Sequence, residues 1–214
     1  FPGDYVSNNL VASYEVLELA KKIKPKHLLL ASTSSVYGAN TEMPFKETQQ
    51  TDHPLSFYAA TKKCNEVMAH SYSHIFDIPI TLFRFFTVYG DWGRPDMALY
   101  KFAIKMLNGE PIEIYNNGEM ERDFTYVGDL VRAIELLFPH PPSIASTDAN
   151  VFKNDSLSPV ANHRICNIGN SQPIKLMDYI KALEENLKIT AIKNFTAMQM
   201  GDVPKPTPIR LYFE

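Results

Sequence analysis

A phenol and an ammonium stand four residues apart in Tyr58-Ala59-Ala60-Thr61-Lys62. On a helix that spacing puts both groups on one face, where they can meet the same ligand. A neighbouring positive charge favours the phenolate form of a tyrosine, so the pair could draw a proton from a sugar hydroxyl. A surface tyrosine and a solvated lysine show the same spacing, so the chemistry requires other groups converging on it. The hydroxyl run Ser32-Thr33-Ser34-Ser35 supplies them, directly after the aliphatic stretch His27 to Ala31. Such residues commonly cap helices and close turns. At the carboxyl end of a parallel strand they also face the crevice where open α/β sheets bind ligands. Arg94 and Arg122 offer planar cationic forks that meet anionic oxygens bidentately, and each could equally be a solvated surface charge.

The elements that must position these groups follow from periodicity. Apolar residues recur at helical spacing from Asp4 to Lys24 (Leu10, Val11, Val16, Leu17, Ala20), and Pro25 helps end that helix. His27 to Ala31 is an unbroken aliphatic run, as expected of a strand buried on both faces. Phe57 to Phe76 returns to helical spacing and Ile78 to Phe86 reads as a second buried strand. Helix, strand, helix, strand implies an α/β fold built on a doubly wound parallel sheet.

After Gly90 the texture changes. A helix is expected from about Met97 to Leu107, strands over Ile112 to Tyr115 and Asp123 to Val127, and a helix over Asp129 to Phe138. Pro139 to His163 lacks periodicity and is rich in Pro, Ser, Asn and Asp, which reads as a long surface loop. Ile165 to Ile168 suggests a strand, Ile174 to Leu187 a helix and Ile192 to Phe195 a further strand. The organisation expected is a Rossmann-like portion over residues 1–90 carrying the catalytic groups, and a smaller α/β substrate-binding portion over residues 91–214.

Composition excludes several function classes. With 214 residues, 45% of them hydrophobic, the chain can bury a sizeable core as one full domain or two small ones. A net charge of -3 lacks the basic excess that nucleic-acid binding demands. The longest apolar runs are too short to span a bilayer. Cys64 and Cys166 lie far apart without metal-ligand spacing, so no metal is expected and a reducing cytoplasm fits. The opening Phe1-Pro2-Gly3-Asp4 is neither an initiator methionine nor a signal sequence and reads as a cut end.

Three segments carry a specific resemblance: Ser32-Thr33-Ser34-Ser35-Val36-Tyr37-Gly38, then Tyr58-x-x-x-Lys62, then Arg84-Phe85-Phe86-Thr87-Val88-Tyr89-Gly90. Together they resemble the extended short-chain dehydrogenase/reductase family across most of the chain. The continuation Asp91-Trp92-Gly93-Arg94-Pro95-Asp96-Met97-Ala98-Leu99 and the later Arg122-Asp123-Phe124-Thr125-Tyr126-Val127 look like UDP-glucuronate 4-epimerases within it.

The resemblance implies that Tyr58 is the base, that Thr33 shares the proton of the sugar's O4, and that Lys62 holds the nicotinamide ribose of NAD while tuning Tyr58. Hydride would leave carbon 4 for NAD⁺ and return to the other face of the 4-keto sugar, giving net isomerisation. The resemblance further implies substrate contacts by Ser34, Ser35, Thr87 and Arg94 near the sugar and its carboxylate, and by Arg122 at the diphosphate. Asn9 and Ser32 match positions near the cofactor. Similar 4,6-dehydratases carry Asp then Glu after the threonine, and UDP-glucuronate decarboxylases carry Glu where Ser35 stands, so the neutral hydroxyls here favour epimerisation.

Two departures shape the remaining expectations. No Gly-x-x-Gly-x-x-Gly precedes Tyr37, so roughly the first quarter of a family member is expected to be absent. Gly201-Asp202-Val203-Pro204 fits the family, whereas Lys205 to Glu214 does not continue into its usual segment. Loss of sheet strands would expose unpaired backbone and apolar surface, so poor stability and little activity are expected of the chain alone. Two readings stay open: a UDP-sugar 4-epimerase, acting on glucuronate or a neutral relative, or an inactive remnant that only associates. In this family the helices corresponding to Asp4–Lys24 and Phe57–Phe76 pack as a four-helix bundle between the subunits of a homodimer, so such a pairing is expected.

Overall fold

The computed structural model describes residues 1–144 and 156–197. The middle of the expected 139–163 loop and the Gly201–Pro204 and Lys205–Glu214 segments lie outside the described residues.

Three parallel strands, β1 (Leu28–Thr33), β2 (Ile80–Phe85) and β6 (His163–Ile168), form a sheet in the order β1-β2-β6. Each strand is an aliphatic or aromatic run because both faces are covered. Strand alternation divides the side chains between two cores. Leu28, Leu30, Ile80 and Leu82 point into a cluster with Leu17, Ala20 and Ala69 from helices α2 (Ala12–Ile23) and α3 (Phe57–Phe76). Leu29, Phe83 and Phe85 point into another with Leu130 and Leu137 from helix α5 (Val127–Leu137). Helices thus cover both faces, which is the doubly wound arrangement expected.

The helix expected from Asp4 to Lys24 is an unbroken helical run in three pieces: α1 (Pro2–Tyr5), a π-helical segment Val6–Val11, and α2. It ends where Lys24 turns left-handed at φ 46° just before Pro25. Helix α3 has the expected bounds, with Ser56 Oγ accepting the Ala59 N–H as its N-cap at 3.1 Å.

Beyond β2 a short strand β3 (Thr87–Tyr89) pairs in parallel with β5 (Glu121–Tyr126), and β5 pairs antiparallel with β7 (Pro173–Lys175). Strand β4 (Ile112–Ile114) pairs with β8 (Lys193–Phe195). Between β4 and β8 and helices α4 (Ala98–Leu107) and α6 (Leu176–Leu187) lies a separate apolar core around Met106, Ile112, Ile114 and Ile180.

The expected division at residue 90 does not follow the sheet. Strand β6 pairs with β2, and α5 packs on the same sheet, although both come from the later part of the chain. Burial explains the return: without β6, the buried aliphatic β2 would leave an open backbone edge. On the other side, β1 has no strand partner beyond β2 among the described residues.

Candidate functional site

Strand β1 ends in the hydroxyl cluster. The Oγ1 of Thr33 accepts the Ser35 N–H at 3.2 Å and its hydroxyl donates to Ser35 Oγ at 3.3 Å. This starts a 3-10 turn over Ser34–Tyr37. The capping role considered for these residues is thus present at the carboxyl edge of the sheet.

Helix α3 lies beside that edge and presents Tyr58 and Lys62. The Lys62 ammonium donates to the Ala31 carbonyl at 2.6 Å, which ties the tyrosine-lysine face to the strand carrying Thr33. Lys62 is half-buried, and desolvation pulls its pKa below the usual lysine value against the opposing charge of Glu66. An ammonium has three N–H donors, so one bond to Ala31 leaves donors for a ligand.

Asn9 enters from the π-helical segment. Its Nδ2 donates to Thr61 Oγ1 at 2.9 Å, and the Thr61 hydroxyl donates to the Tyr58 carbonyl at 2.8 Å. The first turn of α3 is thus held from below. Tyr5, one residue before the π segment, sets its ring 5.6 Å from that of Tyr58. π segments often occur at functional sites because the extra residue per turn redirects a side chain.

Beneath the crevice lies a buried polar network that sequence reasoning missed. Arg84 forms a two-pronged salt bridge with Glu66, Nε to Oε1 at 2.9 Å and Nη2 to Oε2 at 2.8 Å. Ser32 donates its hydroxyl to the same Glu66 Oε1 at 2.6 Å. Burial pushes the Glu66 carboxyl up, but hydrogen bonds and charge from Arg84 outweigh it and hold the group below its usual range. The Arg84 guanidinium also lies over the Tyr37 ring, and Tyr37 donates to Asn167 Oδ1 at 2.8 Å. Ser32, matched by sequence to a cofactor contact, therefore has its hydroxyl proton committed to Glu66 inside the protein. The α3 periodicity could have flagged Glu66, four residues after Lys62 on the same face.

The expected substrate residues separate into two groups. Thr87 and Arg122 line one cavity of about 210 Å³ between β3, β5, α4 and α6, together with Met97, Phe102, Tyr115 and Tyr179. Tyr58, Lys62 and Thr33 do not line it. Arg122 Nη1 donates to the Glu121 carbonyl at 3.0 Å. The neighbouring Asp123 is fully buried and accepts the Asn170 and Gln172 N–H groups at 2.7 and 2.9 Å, which pins the β6–β7 connection against β5.

Arg94 is not in this cavity. It stands exposed in the β3–α4 connection, its fork closed on Asp96 through Nε to Oδ1 at 3.0 Å and a second contact from Nη2 to Oδ2. Hydrogen bonding to Asp96, and then its charge, raise the Arg94 pKa. Asp96 occupies the Nε and Nη2 side of the guanidinium, which leaves the Nη1 donors for a ligand carboxylate.

The family model of the NAD dependent epimerase/dehydratase family matches residues 1–151. A Rhizobium meliloti protein named "Probable UDP-glucuronate 4-epimerase" is 53% identical over 204 residues, covering 95% of this chain and 60% of that protein. UDP-glucuronate 4-epimerase 4 of Arabidopsis thaliana is 42% identical over 208 residues, 95% of this chain and 46% of its own length. The chain thus spans about 60% or less of these relatives. Among solved structures, the UDP-glucuronic acid 4-epimerase of Bacillus cereus in complex with UDP-glucuronic acid and NAD superposes with a TM-score of 0.80 at 31% identity. It covers 95% of this chain and 59% of that one.

Proposed function

Because the chain belongs to the NAD dependent epimerase/dehydratase family, we propose that it carries the catalytic crevice of an NAD-dependent UDP-sugar 4-epimerase converting UDP-glucuronate to UDP-galacturonate. The observation that carries this reading is the 2.6 Å bond from Lys62 to the Ala31 carbonyl, which joins the Tyr58 face of α3 to the end of β1 where Thr33 stands. The names and ligands of the relatives support the substrate: glucuronate in the names of the Rhizobium and Arabidopsis proteins, UDP-glucuronic acid and NAD in the Bacillus structure.

Tyr58 takes the proton of the sugar's C4 hydroxyl, and Thr33 hydrogen-bonds the same oxygen. Lys62 keeps its bond to Ala31 and turns its remaining N–H donors to the cofactor's ribose, while its charge favours the Tyr58 phenolate. These residues fit the nicotinamide end of NAD, with spare ammonium donors at the carboxyl edge of a parallel sheet. Asn9 supports that end through Thr61. Bound there, NAD supplies the hydride acceptor and donor and ends the cycle unchanged. The 4-keto sugar turns over before carbon 4 is reduced on its other face, and Tyr58 returns the proton. Ser34 and Ser35 provide neutral hydroxyls at the sugar, in keeping with epimerisation. Arg94 offers its remaining N–H donors to the uronate carboxylate, and Arg122 and Thr87 take the nucleotide diphosphate end in the 210 Å³ cavity.

A second copy of the chain is the partner proposed for α2 and α3. Val16, Leu19 and Ile23 are exposed at helical spacing on α2, and Phe57, Val67 and Ile75 are exposed on α3. Two adjacent helices with bare apolar stripes fit a four-helix bundle across a two-fold axis. These stripes, with the edge of β1 that has no strand partner among the described residues, also support the other reading, a chain that associates without catalysis. No helix among the described residues is long and apolar enough to cross a membrane.

The variant Tyr58→Phe tests the mechanism in the protein that carries this chain, supplied with NAD and UDP-glucuronate. It is expected to turn over about 10²- to 10⁴-fold more slowly while binding UDP as before. Unchanged turnover would remove Tyr58 from the role of base.

A further inference from the structure

The cavity between β3, β5, α4 and α6 contains a polar group that the mechanism above does not use. Tyr179, on α6, stacks its ring on Phe124 of β5, with centroids 4.9 Å and planes 11° apart. Its hydroxyl oxygen is buried and has no hydrogen-bond partner among the described residues. Burial pushes the Tyr179 phenol far above the usual tyrosine range, so the hydroxyl keeps its proton at neutral pH and is available as a donor. A buried hydroxyl without a partner lowers stability, and its presence on a cavity wall beside Arg122 requires a reason.

The cavity's surroundings indicate which part of a ligand it takes. Its lining includes the rings of Phe102, Tyr115, Phe124 and Tyr179, with Arg122, Thr87 and Glu113 among its polar groups, the Glu113 carboxylate accepting from Asn194 Nδ2 at 2.8 Å. Flat aromatic walls with one cation suit a planar ring attached to an anionic group. The reacting sugar belongs beside Tyr58 and Lys62, neither of which lines the cavity, so the nucleoside end is left for this space.

We propose that Tyr179 is a nucleotide-binding residue whose hydroxyl donates to a carbonyl oxygen of a pyrimidine base seated in this cavity, with Arg122 on the diphosphate. This rests on the nucleotide-sugar reading above and extends it to a residue that no motif pointed to. The stacking on Phe124 fixes the Tyr179 ring before the ligand arrives, so little side-chain freedom is lost on binding. With the base bound, the orphaned hydroxyl gains its partner.

The test is calorimetric titration with UDP alone, and thermal unfolding with and without UDP, on the wild type, Tyr179→Phe and Arg122→Ala. Tyr179→Phe is expected to bind UDP roughly tenfold more weakly. Without UDP its melting temperature should equal or exceed that of the wild type, because the variant removes a buried group that bonds to nothing. A lower melting temperature of the variant without UDP would overturn the proposal, since the hydroxyl would then serve the fold. Undiminished UDP binding by Tyr179→Phe beside weakened binding by Arg122→Ala would also overturn it and leave the nucleotide reading standing. A wild type that does not bind UDP would remove both.

Discussion

Tyr58 and Lys62 were legible because helical spacing relates residues close in sequence, and Thr33 because a hydroxyl run at the end of a buried strand has few places to go. The groups that support them were not. Glu66 meets Arg84 and Ser32 across three elements, and only the folded chain brings the three together. The Arg94 partner, Asp96, is local but lies in a turn whose geometry no periodicity fixes. Another group hidden from sequence reasoning is His163, buried at the start of β6 with no hydrogen-bond partner for Nε2 among the described residues and its ring 5.0 Å from that of His70. Burial, then the facing His70 and Arg84, hold its pKa down at about 4 against the pull of Glu66. A histidine that resists protonation in the folded state binds fewer protons there than in the unfolded chain. Its stabilising contribution is therefore present above the unfolded value near 6.5 and is lost as pH falls towards about 4. The loss from this group is expected to reach about 3 kcal/mol. Urea unfolding at pH 7 and pH 4.5 measures it, and His163→Gln should narrow the difference between the two pH values. A variant with the wild-type pH dependence would assign the effect elsewhere.

At the scale of elements, the long periodic segments were readable and the short ones were not. Helix α3 follows its apolar spacing from Phe57 to Phe76, and β1 and β2 follow their aliphatic runs. Strands β3 and β7 have three residues each, too few for alternation to register, and they exist because β5 lies between them. The π segment left no trace in the periodicity either, yet it is what brings Asn9 to Thr61. The pairing proposed for α2 and α3 came from the family resemblance, and periodicity alone did not separate their exposed apolar positions from the buried ones. Leu19 and Val67 are 55% and 59% exposed, so a charge at either position leaves this chain's own core untouched. Leu19→Glu with Val67→Glu is expected to convert the proposed dimer to a monomer with unchanged helix content, measured by light scattering and circular dichroism. A double variant that stays dimeric would place the interface on another surface.

Across the whole molecule, the helix and strand order revealed a doubly wound sheet, but the return of β6 to the side of β2 depends on contacts between residues more than eighty positions apart. A division of the chain at residue 90 therefore cuts through the sheet that positions Thr33. The same sheet explains why the site is at this edge: β1, β2 and the first turn of α3 converge there, and β3 leads from β2 towards the cavity that holds Arg122 and Tyr179. The account places proton transfer at Tyr58 and the nucleotide end in the cavity, and requires hydride to leave and return at carbon 4 of one sugar. The most direct measurement is proton and carbon magnetic resonance of UDP-glucuronate deuterated at carbon 4, incubated with NAD and the protein that carries this chain. The expected product is UDP-galacturonate that still carries deuterium at carbon 4, with all six sugar carbons retained. Loss of the deuterium to water, release of the carboxyl carbon, or no galacturonate at all would contradict it.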